Sequence, residues 1–428
     1  MHEMTPRRLE AEIVPGKSVG WFKLGMSVWD ICERLKEQVR VFPNVEFKYS
    51  QDTPLSTDFI LSLTQNGINL RFEPLAQRLK LIEIFDFERL KLTYQGGGDI
   101  CSVRTDPTFL VVYKLFGPTY PGEFDKQTKR YILGYPGISF TFPISDPDAL
   151  TSSAELPIEL PDGTSPIASH AYIYQGASTW LKATLPSLRF PGELESAVAM
   201  VGTGLSLQFV KGGGIEGVVD LKLGVTTPQD AISALGSANR VWWKEEDKMR
   251  IHSLGEERES IADGEAEWEQ RIGPICSSDY FYNYFALGID LLFDSINHLC
   301  KKIVIHGNVP GHFDFQRYKR CPYRIVFPNR QTPFPSTGGN GKNGKNGKSE
   351  IPESADAGKW VVVESEMKID QIRKLVGSED GVDTDRPVIF NRVSAGQNPF
   401  GSSVLTGYND GVVLEVMKNG HIATVVLF

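Results

Sequence analysis

Gly67-Ile-Asn-Leu-Arg-Phe72 returns three times along the chain, as Gly137-Ile-Ser-Phe-Thr-Phe142, Gly288-Ile-Asp-Leu-Leu-Phe293 and Gly411-Val-Val-Leu-Glu-Val416. Apolar residues at every second position put one face of a strand against a core. The leading glycine marks a turn that needs positive φ. An apolar run precedes each copy: Phe59 to Leu63, Tyr131 to Leu133, Tyr280 to Phe285, and Val404 to Leu405. Three copies run on through a polar turn into a further strand, at Leu79 to Phe85, Leu299 to Ile305 and Ile422 to Leu427. Asn419-Gly420, within the last of these turns, is a strong hairpin signal. The repeat is therefore at least three antiparallel strands.

A short helix leads each unit. Ser27 and Asp30 stand at capping-box spacing before Ile31 and Leu35, and Thr227-Pro228-Gln229-Asp230 combines a cap, a first-turn proline and a carboxylate. The second helix begins near Asp106-Pro107 and stops at Gly117; the fourth carries Ile369, Asp370, Ile372 and Leu375. Asp30 to Leu35, Asp230 to Leu235 and Asp370 to Leu375 share one offset. A helix on one face of an antiparallel sheet covers its apolar side, so the expected fold is α+β, in tandem helix-plus-sheet modules. The pattern resembles outer-membrane lipoprotein and β-lactamase-inhibitor-type repeats.

These signals divide the chain into a first module over 13–95 and a shorter second module over 96–144. A β-rich segment over 145–218 reads as an insertion. A third module spans 219–335, with an acidic loop near 254–271. Residues 336–358, rich in Gly, Asn and Lys, form a flexible linker, and 359–428 a fourth module.

The 428 residues are 41% hydrophobic and 23% charged, an ordinary globular balance too long for a single core. A net charge of −8 provides no global basic field for nucleic acid. The odd set Cys32, Cys101, Cys276, Cys300 and Cys321 has no CxxC spacing, and reads as reduced, buried thiols. The opening MHEMTPRRLEAEIVPG has no signal-peptide core, and no apolar run is long enough to span a membrane, so a cytoplasmic protein is expected.

Catalytic motifs are missing. Gly347-Lys348-Ser349 ends like a phosphate-binding loop, but Lys342 stands where the first glycine is required. No HExxH or GxSxG occurs. His306, His312 and Asp314 read as ordinary loop residues rather than metal ligands. Neither metal nor cofactor is implied, and a non-enzymatic protein is expected.

Two segments exceed what a scaffold needs. Trp242 to His252 mixes aromatics with dense charge, and Asp279 to Phe285 carries aromatics on both strand faces. Packing under a neighbouring module and a partner surface are both open readings. Lys244, Lys248, Arg250, His252, Lys301 and Lys302 are candidates for a local patch that binds phosphoinositide headgroups, or else a solvated face beside Glu245, Glu246 and Asp247. The candidate partner or lipid surface comprises Trp243, Lys244, Lys248, Arg250, His252, Tyr282, Tyr284, His306, Asn308 and His312.

The same segments resemble the phagosome assembly factor 1 family. The matching motifs are LGMSVWDI at 24–31, GINLRFEPLAQRLKLIEIFD at 67–86, LFGPTYPG at 115–122 and EDKMRIHS at 246–253. DYFYNYF with its following GIDLLFD at 279–294, HGNVPGHFDF at 306–315, NPFGS at 398–402 and the terminal NGHIATVVLF also match. The resemblance implies an autophagy adaptor that forms a complex with a WD40 β-propeller protein of the breast carcinoma amplified sequence type. It also implies association with phosphoinositides and recruitment to the phagophore assembly site. A Golgi or vesicle trafficking scaffold, and an enzyme with a pocket between modules, remain the alternatives.

Overall fold

Each repeat glycine has positive φ: +70° at Gly67, +82° at Gly137, +71° at Gly288 and +91° at Gly411. Each also accepts, through its carbonyl, a hydrogen bond from the end of the last strand in its own module. The donors are the N–H groups of Phe85 at 2.9 Å, Tyr174 at 3.2 Å, His306 at 2.8 Å and Phe428 at 3.0 Å. Four copies of one motif in sequence thus form four copies of one local geometry. These contacts come from a computed structural model, which describes residues 8–144, 156–159, 163–187, 190–212, 217–244, 278–328, 360–376, 387–390, 401–408 and 411–428.

The chain forms two units, Met1–Leu188 and Arg189–Phe428. The first runs β1 (Leu9–Val14), β2 (Ser18–Val19), β3 (Phe22–Lys23), α1 (Val28–Glu37), β4 (Glu46–Lys48), β5 (Phe59–Leu63), β6 (Ile68–Phe72) and β7 (Leu79–Ile84). It continues with β8 (Leu90–Tyr94), β9 (Gly98–Cys101), α2 (Phe109–Phe116), β10 (Glu123–Asp125), β11 (Arg130–Tyr135), β12 (Ile138–Pro143) and β13 (His170–Tyr174). Each helix leads an antiparallel four-strand meander. The two meanders join through β13 and β7, with Ile173 opposite Ile82, to make an eight-stranded sheet ordered β10-β11-β12-β13-β7-β6-β5-β4. The remaining strands form a five-stranded sheet, β3-β2-β1-β8-β9, whose central pair β1·β8 is parallel.

The second unit repeats this plan element for element. It runs β14 (Leu194–Met200), β15 (Gly204–Phe209), β16 (Val218–Lys222), α3 (Pro228–Leu235), β17 (Arg240–Trp243), β18 (Tyr280–Tyr284), β19 (Ile289–Phe293) and β20 (Cys300–His306). Then follow β21 (Tyr323–Pro328), β22 (Trp360–Glu364), α4 (Ile369–Val376), β23 (Val388–Phe390), β24 (Ser403–Tyr408), β25 (Val412–Val416) and β26 (Ile422–Leu427). Its sheets are β16-β15-β14-β21-β22, with β14·β21 parallel, and β17-β18-β19-β20-β26-β25-β24-β23. The protein is α+β, dominated by strands, with four helices among the described residues.

The expected alternation holds. Ile68, Leu70 and Phe72 are buried on β6, as are Ile138, Phe140 and Phe142 on β12, Ile289, Leu291 and Phe293 on β19, and Val412, Leu414 and Val416 on β25. In each unit they join one core with the helix stripes, such as Val28, Ile31 and Leu35 of α1, and with apolar residues of the five-stranded sheet. Ser27 and Thr227 cap α1 and α3 by accepting from the N–H of Asp30 and Asp230, and Thr108 caps α2. The helix starts are tied to the turns before the closing strands: Val28 N–H donates to Gln77 O at 2.8 Å, Phe109 to Pro166 at 2.8 Å, and Ile369 to Gly420 at 2.9 Å.

Two expectations shift. In α4 the shared Asp-to-Leu offset does not mark equivalent positions. Lys368 occupies the cap position, so Ile369, Ile372 and Val376 fall where Val28, Ile31 and Leu35 do, and Leu375 is 48% exposed. Residues 145–218, read as an insertion, contribute β13 to the first unit and β14 and β15 to the second. The acidic loop near 254–271 and the linker at 336–358 lie outside the described residues.

Candidate partner surface

β17 is the edge of the second unit's eight-stranded sheet; it pairs with β18 and has no strand on its other side among the described residues. Trp242 lies opposite Phe281 and Trp243 opposite Tyr280, with ring centroids 5.7 Å and 4.7 Å apart. Such directly opposed aromatic pairs stabilise a two-strand ribbon. Period-two alternation sends the two indoles to opposite faces, and both remain open: Trp242 is 39% and Trp243 47% exposed. Tyr282 stacks edge-on against Phe293, and the Tyr284 hydroxyl donates to Gly236 O at 3.2 Å, closing the end of α3. Tyr284 is thus buried structure, while Tyr282 is half-buried beside the edge.

The candidate cationic patch is locally neutralised at Lys244 and Lys301. Lys301 Nζ lies 3.1 Å from Asp279 Oδ2 and 2.6 Å from Asp294 Oδ2, and Lys244 Nζ lies 4.0 Å from Asp279. The Lys301 hydrogen bond and two backbone N–H donors pull the Asp294 carboxyl down to about 2. Lys302 sits over the Phe428 ring at 5.5 Å. Lys248, Arg250 and His252 lie outside the described residues.

His306, Asn308 and His312 come together, but in the interior, each less than 9% exposed. His306 ends β20, and the connection 307–322 folds back over the face of the sheet that turns away from the helices. His306 Nε2 lies 2.8 Å from Asp290 Oδ2, and Tyr318 OH donates to the same oxygen at 2.9 Å. Asn283 Nδ2 donates to Asp290 Oδ1 at 2.8 Å. Nearby, His312 Nε2 lies 3.1 Å from Glu415 Oε1, which also accepts from Ser403 at 2.6 Å, while Thr424 donates to Oε2 at 2.7 Å. His306 and Thr424 are paired across β20 and β26, so the two clusters form one polar band across the sheet. Asn308, in the left-handed region at φ 43°, accepts from Gln316 N–H through its side chain and turns the connection. These residues clamp a loop rather than face solvent.

Sequence reasoning missed Asp290, Tyr318 and Glu415. Asp290 and Glu415 occupy outward slots of the repeat, which read as solvent-facing. Little in the sequence signalled this cover, since 307–322 is less apolar than the chain as a whole, although Val309 is fully buried. No group of three or more His, Cys, Asp or Glu side chains among the described residues is placed to hold a metal, and no described helix is long and apolar enough to cross a membrane.

The family model described as Phagosome assembly factor 1 matches residues 18–428. The chain belongs to the phagosome assembly factor 1 family. It is 36% identical to the PHAF1 protein of Arabidopsis thaliana, covering 97% of this chain and 92% of that protein. The PHAF1 protein of Drosophila melanogaster is 33% identical, over 98% of this chain and 94% of the relative. That of Caenorhabditis elegans is 26% identical, over 95% and 90%. No solved structure matches the chain significantly. The phagosome assembly factor 1 match takes in the β17 edge, the buried polar band and all four repeat glycines.

Proposed function

We propose that this chain is a non-enzymatic adaptor of phagosome assembly in autophagy. It forms a complex with a WD40 β-propeller protein of the breast carcinoma amplified sequence type. The complex is recruited from the cytoplasm to phosphoinositide-bearing membranes at the phagophore assembly site. Family membership supports the process, and the β17 edge supports the adaptor role. A strand edge that is open among the described residues and carries two exposed tryptophans offers backbone hydrogen bonds and apolar anchors to a partner. Lys244 and Lys301 do not supply the lipid contact, because they are already matched by Asp279 and Asp294. The helix-led four-strand meander also supports a likeness of the modules to the outer-membrane lipoprotein and β-lactamase-inhibitor type.

The test is affinity purification of the tagged full chain from starved cells, beside a Trp242→Ser, Trp243→Ser variant. The expected result is recovery of a WD40 protein by the wild type, reduced about tenfold or more in the variant. Wild-type chain that brings down no propeller protein sinks the reading. Recovery of Golgi or vesicle coat components in its place favours the trafficking scaffold.

A further inference from the structure

Within the first unit, a cleft of about 650 Å³ opens where three chain segments meet. They are the β1–β2 turn (Val14, Pro15, Gly16), the β11–β12 turn (Pro136, Gly137) and the chain leaving β13 (Tyr174 to Ala177). Its floor is tied by the Gly137 carbonyl, which accepts from Gly16 N–H at 2.9 Å and from Tyr174 N–H at 3.2 Å. Gly137 must be glycine, because a Cβ there would run into the backbone of Gly16 and Pro15. The volume is that of an ordinary small-molecule site, for which the range is roughly 300–1,000 Å³.

The lining is apolar apart from a few groups, of which Lys17 and Lys23 are the charged ones. They lie on the two sides of the β2·β3 hairpin one position out of register: Lys23 pairs with Ser18, and Leu24 N–H donates to Lys17 O at 2.8 Å. Both side chains are exposed, neither has a carboxylate within ion-pair distance among the described residues, and no Asp or Glu lines the cleft. Two uncompensated ammonium groups are notable in a chain of net charge −8. At the Gly67 turn of the first module a basic side chain is instead held by its neighbours. There Arg89 donates to Asp86 Oδ2 at 2.7 Å and to Gln65 Oε1 at 3.0 Å, beside Gly67.

We propose that this cleft binds a phosphate monoester carried on a small apolar body. The apolar walls take the body by burial, and the two lysines take the dianion, which a pair of ammonium groups matches better than a single carboxylate. The phosphate belongs either to a free metabolite or to a lipid headgroup, and the cleft would read the same chemistry in both. The site is independent of the adaptor reading, since it involves no residue of β17 or β18.

The experiment is calorimetric titration of the full chain with hexyl phosphate, beside hexanol and inorganic phosphate. Saturable one-to-one binding is expected, weakened about tenfold or more for either fragment alone. Lys17→Glu, Lys23→Glu is expected to weaken it by at least about tenfold, while Lys126→Glu, on an exposed turn away from the cleft, leaves it unchanged. Ala177→Trp, which narrows the cleft without altering charge, should also abolish binding. Co-sedimentation with phosphatidic acid vesicles, lost in the double variant, identifies a lipid source; hexyl phosphate binding without sedimentation identifies a free molecule. Equal binding by wild type and both cleft variants, or no saturable binding by the wild type, overturns the proposal.

Discussion

His306 and Asp290 form a buried pair, Nε2 to Oδ2 at 2.8 Å, with the Tyr318 ring stacked on the imidazole at 3.6 Å between centroids. Asp290 serves His306, Tyr318 and Asn283 at once, so its loss would leave three buried polar groups without their acceptor. Asp290→Ala is expected to destabilise the second unit by about 3–5 kcal/mol. Chemical denaturation gives the check, and a cycle with Tyr318→Phe should show strong non-additivity. Additive losses would mean that the band is a set of separate contacts.

The repeat glycines make a sharper prediction. Gly288 combines φ +71° with a position where a Cβ would strike the Lys319 carbonyl and Cys321. Gly117, also at positive φ, has nothing within 4 Å of that position. Gly288→Ala should cost about 2 kcal/mol or more and exceed Gly117→Ala, which bears backbone strain alone. Equal melting shifts for the two would remove the collision from the account.

Phe72 and Phe293 close the inward faces of β6 and β19 and are both fully buried. Truncation of either to Ala is expected to cost about 3–5 kcal/mol in thermal or denaturant unfolding. Near-wild-type stability for both would mean that these rings are not in the core.

His421 is 3% exposed, and neither ring nitrogen has a hydrogen-bond partner among the described residues. Burial, then the nearby Lys368 and Arg320 charges, pushes its pKa down from 6.5 to about 4. The folded state therefore binds fewer protons than the unfolded chain between these values. The associated stability is complete above about pH 6.5 and drains away as pH falls toward about 4. His421→Leu should flatten stability across that window. A wild-type pH profile in the variant would refute the assignment.

Much of the fold was legible because burial on one face of a strand writes itself into alternate residues. Ile68, Leu70 and Phe72, and their three counterparts, announced the meanders, and Ser27 and Thr227 announced two helix starts. Pairings between modules were not legible. The parallel contact of β1 with β8 joins residues far apart in sequence, and nothing local in either strand specifies the other. β13 was read as part of a β-rich insertion rather than as the closing strand of the second module, because no short turn links it to β12 and it lacks the hairpin punctuation of Leu79, Leu299 and Ile422.

The candidate surface divides in the same way. Exposed Trp243 on an edge strand follows from aromatics crowded beside charge. His306 and His312 appeared to be loop histidines because the cover over them comes from their own connection, whose apolar residues have no periodicity to read. Burial on a sheet's second face depends on what lies across it, and that is a tertiary fact.

The last strand of the chain sits in the middle of a sheet. β26 hydrogen-bonds to β20 on one side and β25 on the other. The eight-stranded sheet of the second unit therefore cannot close until β26 is in place, and until then β20 and β25 each present a bare edge. A deletion of 422–428 would split one eight-stranded sheet into a four-stranded and a three-stranded piece with newly exposed edges. Such a product is a substrate for chaperones and proteases.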